Sequence, residues 1–304
     1  MTSDSTTIGV GLGLSPDLVR LERAAMLSLV EQINASEIDH VVVTDHVSFR
    51  GGSGQDGLAA LAYLAGLGIE RDLHTGVLIL PLRHPTIVAR QLLDIADVHS
   101  HRIVCAVGLG GDDPDEYSMV GMSSTERGSR MSDSVPALVS LLGPQRAITV
   151  DGHYPIDGPG LARGGGAPVD VIIGGRAPQS HERAAIANGW LATFCTPARF
   201  GEAAERVRAL SPTATLGHQS WIGLGDNGQG IADAQLRKFY GLDPEPFRRY
   251  VPTGSSQEIA NQLIPYVEAG AQYLNLFPAG DDPKSAVEGV AEIARRIHEW
   301  SSQQ

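Results

Sequence analysis

Ile38-Asp-His-Val-Val-Val-Thr-Asp-His46 is the stretch that decides the fold, because its β-branched run ends abruptly in three polar residues. Such a run is typical of a strand that is buried on both faces of a parallel sheet. In parallel α/β folds, polar residues at the carboxyl ends of strands point into the ligand crevice. Asp45 and His46 are therefore candidate site residues. The alternative is that Asp45 caps the following loop and His46 packs against it.

Strand-like and helix-like segments alternate outward from this stretch along the whole chain. The strands are predicted at residues 8–14, 38–46, 73–80, 102–108, 169–173, 190–194, 215–224 and 273–277. Strict alternation indicates a parallel sheet with crossover helices. The predicted fold class is therefore α/β, a single (β/α)8 TIM barrel domain over residues 1–304. Residues 148–168 are rich in Gly and Pro without periodicity, and we expect them to form an irregular insertion.

Composition narrows the class of protein. Hydrophobic residues make up 42% and charged residues 19% of the 304 residues, which is ordinary for a globular chain. The net charge of -12 argues against nucleic-acid binding and disfavours anionic membranes. Cys105 and Cys195 lie in or beside apolar runs, so we expect buried thiols rather than a disulfide. With no basic leader and no apolar run of membrane-spanning length, the sequence predicts a soluble cytoplasmic protein.

Two glycine clusters follow predicted strands. Gly174-Gly175-Arg176 precedes a helix, where backbone N–H groups, the helix N-terminus and a guanidinium suit a phosphate. Gly108 and Gly110, within Gly108-Leu-Gly-Gly111, allow a flat ring to approach the backbone. The alternatives are an ordinary tight turn at the first cluster and a plain loop at the second.

An ordered set of motifs resembles the bacterial-luciferase-like family, in the branch that includes deazaflavin-dependent oxidoreductases. The motifs are Val43-Thr-Asp-His46, Thr75-Gly-Val-Leu-Ile-Leu-Pro-Leu-Arg-His-Pro85, Ala89-Arg90-Gln91, Arg102 leading into Val107-Gly108-Leu109-Gly110, and Ile173-Gly174-Gly175. The resemblance spans most of the chain. It implies a (β/α)8 barrel that binds reduced FMN or the deazaflavin coenzyme F420 at the carboxyl ends of its strands. It also implies a monooxygenase or a hydride-transfer enzyme.

The resemblance also suggests roles for three further residues, and a fourth, Trp221, is a candidate because it comes late in a predicted strand. Leu80 and Pro81 stand where family members bulge the backbone against the flavin ring, often with a non-prolyl cis peptide. Glu116 resembles an acidic position near the substrate, with a solvated loop as the alternative. Trp221 is a candidate wall of the substrate pocket, although a large aromatic in a barrel can equally be core.

The sequence thus predicts a flavin-type oxidoreductase acting on a small organic substrate. His46 is the candidate for proton transfer, and Asp45 would orient it or contact the cofactor. No metal site is predicted, and expected partners are the substrate, a separate flavin or deazaflavin reductase and a second copy of the chain. One rival is a metal-dependent barrel hydrolase using Asp45, His46 and His84. The other is a barrel that binds a flavin without catalysis.

Overall fold

The structure is a computed structural model of the chain, and it describes residues 8–111, 113–144, 148–241 and 243–304. Its strands are β1 (Gly9–Leu14), β2 (His40–Val43), β3 (His46–Phe49), β4 (Ser53–Gln55), β5 (Asp72–Ile79), β6 (Ile103–Gly108), β7 (Ile148–Val150), β8 (Ile156–Gly158), β9 (Val169–Gly174), β10 (Gly189–Thr193), β11 (Thr215–Leu224), β12 (Thr253–Gly254) and β13 (Tyr273–Pro278). Its helices are α1 (Pro16–Val19), α2 (Arg23–Asn34), α3 (Gly57–Gly66), α4 (Pro85–Val98), α5 (Pro114–Ser118), α6 (Arg127–Leu142), α7 (Pro178–Ala184), α8 (Pro197–Leu210), α9 (Gly228–Tyr240), α10 (Ser256–Glu268) and α11 (Pro283–Ser301). Residues 1–7, which are predicted to hold no basic leader, lie outside the described part of the chain.

All eight predicted strands are present as β1, β2, β5, β6, β9, β10, β11 and β13. Their ends lie within one residue of the predicted ones, except at β2. The side chains of Val41, Val42 and Val43 are fully buried, as a strand covered on both faces requires. β2 ends at Val43 rather than at His46, because His46 already belongs to β3.

The described residues divide into two compact units, and the first comprises residues 8–42, 191–206 and 215–304. In its sheet, β1 and β11 each pair in parallel with β13, and the short β12 pairs in parallel with the end of β11. α10 begins at a capping box, in which Ser255 and Glu258 each bond the other's backbone N–H. Whether residues 1–304 act as a single domain stays a prediction.

The second unit comprises residues 43–190 and 207–214. Its β6 pairs in parallel with β5 on one side and with β9 on the other. Two antiparallel hairpins stand apart from this sheet, β3 with β4 and β7 with β8. The predicted insertion at 148–168 therefore contains a short hairpin before it continues without regular structure. No helix in the described ranges is both long enough and apolar enough to cross a membrane.

In the first unit, His298 of α11 forms an ion pair with Asp39, just before β2, and also contacts the residue just before β1. His298 Nε2 lies 3.0 Å from Asp39 Oδ2 and 3.0 Å from the Ile8 carbonyl oxygen. The same Asp39 oxygen accepts a hydrogen bond from the Val10 N–H at 2.7 Å. The hydrogen bond with Asp39 raises the pKa of His298 above its usual value, although partial burial opposes the shift.

This pair predicts a pH-dependent stability. Protonated His298 favours the folded state, so its contribution is fully present below the unfolded pKa and disappears as the pH rises through the raised folded pKa. We expect His298→Gln to cost up to about 1 kcal/mol at about pH 5.5 and nearly nothing at about pH 9, because the pair is partly exposed. Urea unfolding of both proteins at the two pH values measures the difference. A cost that does not change with pH would contradict the assignment.

Candidate active site

The β3–β4 hairpin brings His46 against a carboxylate from a distant part of the chain. His46 Nδ1 lies 3.1 Å from Glu116 Oε1 and 3.2 Å from Glu116 Oε2. The Val47 N–H donates a 2.8 Å hydrogen bond to Glu116 Oε1. The Glu116 side chain is only 1% exposed, whereas that of His46 is 16% exposed. The predicted proton-transfer residue therefore has a buried acidic partner, and that partner is Glu116.

Glu116 is buried because the acidic segment around it folds into α5 instead of remaining a solvated loop. Asp113 caps this short helix by accepting a hydrogen bond from the Asp115 N–H, and Pro114 occupies its first position. The adjacent Tyr117 is fully buried and donates a hydrogen bond to the Leu109 carbonyl oxygen. The side chains of Glu116 and Tyr117 thus lie on the buried side of α5. The predicted substrate role of Glu116 stays a prediction.

Asp45 precedes His46 in sequence, but its carboxylate forms hydrogen bonds with other parts of the chain. Its carboxylate accepts hydrogen bonds from the Gly57 N–H at 2.9 Å and the Ile79 N–H at 2.8 Å. Arg83 binds both carboxylate oxygens, each at 2.8 Å. Asp45 therefore connects the end of β2 with the start of α3 and the end of β5. Its predicted roles, orienting His46 or contacting a cofactor, stay predictions.

The charges of this buried pair depend on each other. Burial raises the pKa of the Asp45 carboxyl, and the Arg83 guanidinium is the largest influence that opposes this shift. Burial by itself lowers the pKa of Arg83, but the carboxylates of Asp45 and Asp56 outweigh it and raise that pKa. Removing Asp45 would leave the Arg83 guanidinium with the more exposed Asp56, and removing Arg83 would leave the buried Asp45 carboxylate with two backbone N–H donors.

β5 contains an extra residue, Val77, between the positions that pair with Ala106 and Val107 of β6. The Gly76–Val77 peptide bond is cis. Leu80 and Pro81, where the resemblance placed this bulge, are instead buried and form a 3₁₀ segment with Leu82. The predicted location is therefore wrong, because the register shift is absorbed inside the pairing of β5 with β6. Contact of Leu80 and Pro81 with a cofactor stays a prediction.

The glycines at two strand ends make room for Val77. A Cβ added to Gly108 would lie 2.6 Å from Val77 Cγ2, and one added to Gly174 would lie 2.6 Å from Val77 Cγ1. Gly110 has φ +75°, and a Cβ there would meet the Ile79 side chain at 3.0 Å. The absence of a side chain at these glycines therefore lets Val77 and Ile79 of β5 pack close to the backbone. Contact of the glycines with a flat ring stays a prediction.

A cleft of about 520 Å³ opens beside the loop after β6, within the usual size range of ligand pockets. It is lined by Leu109, Pro114, Ser124, Thr125, Arg127 and Gly128. The lining thus includes Ser124 and Thr125, just before α6, and Arg127 at its first position, whose guanidinium donates a 2.8 Å hydrogen bond to the Gly111 carbonyl oxygen. This donor set suits an anionic group. The sequence did not predict this cleft, because its lining residues come together only when the loop after β6 packs beside the N-terminus of α6.

The predicted phosphate motif lies at the end of β9. Gly175 has φ +143°, a conformation that favours glycine, and it is followed by the exposed Arg176 just before α7. Arg183 of α7 donates hydrogen bonds to the Gly128 carbonyl oxygen at 3.1 Å and to Ser132 Oγ at 3.0 Å. The helix after the motif is thus fastened to the start of α6, where the cleft lies.

Trp221 lies in the first unit, on β11, and is 8% exposed. It packs in an apolar cluster with Val42, Phe277, Leu236 and Val251. Its Nε1 donates a 3.3 Å hydrogen bond to the Tyr240 hydroxyl. This environment matches the core alternative, and the predicted pocket-wall role stays a prediction.

The residues of the metal-hydrolase rival lie in different environments. His84 caps α4 by accepting a hydrogen bond from the Thr86 N–H at 3.2 Å, and its ring packs edge-on against Tyr154. Asp45 is bound to Arg83, and His46 contacts Glu116. Across the described ranges, no group of three or more His, Cys, Asp or Glu side chains is arranged to hold a metal ion.

Solved structures similar to this chain define its class by fold. An F420-dependent secondary alcohol dehydrogenase, solved with an F420–acetone adduct, matches with a TM-score of 0.74 and 17% identity, covering 94% of this chain and 98% of its own. A type II Baeyer–Villiger monooxygenase with FMN, the oxygenating constituent of 3,6-diketocamphane monooxygenase of Pseudomonas putida, matches with a TM-score of 0.70 and 15% identity, covering 96% and 98%. At these identities the likeness shows the fold alone. The chain is a (β/α)8 barrel protein, and the predicted fold class is confirmed.

Sequence comparison then gives the family. The profile of the family described as luciferase-like monooxygenase matches residues 6–218, and the chain belongs to this family. An uncharacterized protein of Mycobacterium tuberculosis is 27% identical over 138 residues, which are 45% of this chain and 48% of that relative. The chain spans about half the length of the curated relatives it matches. The family resemblance in the motifs is thereby confirmed.

Proposed function

We propose that this protein is an oxidoreductase that moves a hydride between a small organic substrate and coenzyme F420 or FMN. The observation that carries the proposal is the pairing of His46 with the buried Glu116 carboxylate. A histidine held by a carboxylate in this way is suited to accept or donate a proton in catalysis. His46, paired with Glu116, would be the acid–base group of the reaction.

The pair suits the oxidation of an alcohol to a ketone. The carbinol carbon loses a hydride to the cofactor, and the hydroxyl group loses a proton, so the site needs a proton acceptor. When bound, the deazaflavin or flavin ring supplies the position that takes or returns the hydride. A carboxylate accepts hydrogen bonds, so Glu116 keeps a proton on His46 Nδ1 and leaves Nε2, across the ring, as the base. In the reverse direction, Nε2 returns the proton to the oxygen.

The cleft residues fit the anionic part of either cofactor. Arg127, Ser124 and Thr125 would hold a phosphate at the start of α6. Gly174, Gly175 and Arg176 would approach it from the end of β9. The helix that follows, α7, is connected to α6 by the hydrogen bond from Arg183 to the Gly128 carbonyl oxygen. Such local donors are needed because the chain carries a net charge of -12, which repels anions at long range.

We favour hydride transfer over oxygen insertion because the pair of His46 and Glu116 can serve the proton that moves with the hydride. The similar alcohol dehydrogenase uses F420, and the similar Baeyer–Villiger monooxygenase was solved with FMN. Oxygen insertion with reduced FMN would require a separate reductase. That reductase, a dimer and a cytoplasmic location stay predictions.

The experiment is a fluorescence titration of the purified protein with F420 and, separately, with FMN, followed by addition of secondary alcohols to each complex. We expect saturable binding and reduction of the bound cofactor with formation of one ketone per hydride transferred. Absence of binding by both cofactors would overturn the proposal. Binding with no reduction by any alcohol and no oxidation of the reduced form would identify the non-catalytic alternative.

Cofactor affinity should depend on Arg127 and on Arg176. Losing a charge-assisted contact to a phosphate costs roughly 1.5 to 3 kcal/mol, so Arg127→Ala and Arg176→Ala should each raise the Kd about tenfold to a hundredfold. The matched control is Arg130→Ala on the same helix, because Arg130 pairs with Glu126 and contacts the Tyr154 ring. The same titration measures all three variants. Unchanged affinity in Arg127→Ala and Arg176→Ala would remove both residues from the phosphate site.

A further inference from the structure

Phe49 lies against the His46 imidazole within the same hairpin. The two ring centroids are 4.3 Å apart, and the ring planes are inclined by 28°. Phe49 is 5% exposed, and its ring lies 3.2 Å from the position of a Cβ added to Gly111. The Arg50 guanidinium lies over the same ring, 5.4 Å from its centroid. The ring is therefore enclosed by the imidazole, the loop after β6 and a cation.

Two hydrogen bonds, each from a backbone N–H of the β3–β4 hairpin to a carboxylate, hold the hairpin against α5. The Val47 N–H donates to Glu116 at 2.8 Å, and the Arg50 N–H donates to Asp113 Oδ2 at 2.7 Å. The two donors are three residues apart in the hairpin, and the two acceptors are three residues apart, on α5 and at its N-cap. This matching spacing fixes the position of the hairpin along the helix. Phe49 lies between the two donors. Its ring is thus fixed relative to the helix that carries Glu116.

The orientation of the imidazole decides which nitrogen is available for chemistry. Rotation of the ring by half a turn about the Cβ–Cγ bond would replace Nδ1 with a carbon atom at the Glu116 contact. The stack with Phe49 holds the plane of the imidazole, and within that plane the hydrogen bond with Glu116 selects the orientation that places Nδ1 rather than carbon at the carboxylate. The hydrogen bond with Glu116 and the stack with Phe49 together define one orientation.

We propose that Phe49 is a positioning residue that holds the His46 imidazole with Nδ1 toward Glu116. Its catalytic consequence rests on the proposed function, since only this orientation presents Nε2 as the base for the substrate hydroxyl. The positioning itself is a property of the cofactor-free protein and can be measured without turnover. Its failure and the failure of the proposed function are therefore distinguishable.

The first test is nitrogen-15 NMR of the cofactor-free protein with labelled histidine. We expect the wild type to show a hydrogen-bonded His46 Nδ1–H that is protected from exchange. Phe49→Leu should lose this signature, because it keeps apolar volume but removes the flat ring. Phe49→Tyr should retain it, and so should Ser48→Ala, a change beside Phe49. If Phe49→Leu does not fold, Phe49→Met takes its place in the comparison.

The second test is steady-state kinetics on the same variants. Aromatic stacking favours the stacked plane of the imidazole by about three- to tenfold, so Phe49→Leu should lower kcat by that factor and leave KM nearly unchanged. Phe49→Tyr should restore kcat to within about twofold of the wild type. An undisturbed Nδ1–H signal in Phe49→Leu, or equal loss in Phe49→Leu and Phe49→Tyr, would overturn the proposal. A wild type with the NMR signature but no turnover would refute the proposed function alone.

Discussion

His46→Ala is expected to lower turnover by about 10² to 10⁴, the usual contribution of a positioned acid–base group. Stability should change only modestly, because the His46 side chain is partly exposed and its main packing contact is the stack with Phe49. Glu116 would still accept the Val47 N–H, so the substitution does not leave this carboxylate without a donor. Cofactor affinity should change only modestly. The measurements are a thermal melt and a single-turnover reaction of the bound cofactor, on wild type and variant.

The matched control is His84→Ala, because His84 caps α4 and contacts Tyr154 rather than Glu116. Its loss should cost roughly 1 kcal/mol of stability, as for other helix caps, and leave the rate per folded molecule unchanged. Loss of activity in both histidine variants, together with inhibition by a chelator, would favour the metal-hydrolase rival. A lowered melting point with an undiminished rate in His46→Ala would refute the catalytic assignment.

Asp45→Ala should have the largest effect on stability. It leaves the Arg83 guanidinium, which is 14% exposed, without its main partner and deprives the Gly57 and Ile79 N–H groups of their acceptor. Breaking one side of a buried ion pair typically costs about 3 to 5 kcal/mol. We therefore expect the free energy of unfolding to fall by this amount in urea. The rate per folded molecule decides whether Asp45 also acts in catalysis.

Asp56→Ala is the comparison for Asp45→Ala. Asp56 binds the same guanidinium at 3.0 Å, but its side chain is 49% exposed and it also caps α3. Its loss should cost about 1 kcal/mol, mostly through the helix cap. Equal costs for the two substitutions would show that burial of the Asp45 pair is not what stabilises this region.

The strands of the barrel are predictable because their signal is local. The apolar run that includes Val41 to Val43 and the ten-residue strand β11 each contain their own pattern, whatever they pack against. The residues after Val43 depend on distant partners. His46 and Val47 begin β3 beside Glu116, about seventy residues away in sequence, and no local pattern shows that contact.

The errors and omissions at the site have the same physical origin. A five-residue helix such as α5 has too little length to show a period, and burial of Tyr117 rather than composition turns Glu116 inward. The bulge at Val77 arises from the register of β5 against β6, whereas the visible signal in the sequence was Pro81. The positions of Asp45 and His46 at a strand end were predictable, and their separate partners were not.

The central claim is that the cleft holds a flavin-type cofactor with its ring beside His46. A crystal structure of the protein with F420 or FMN tests this claim most directly. We predict the cofactor phosphate at Arg127 and the start of α6, with the reactive ring in contact with His46 and with Glu116 still bonded to Nδ1. A cofactor bound elsewhere, or a ring that does not approach His46, would contradict the account.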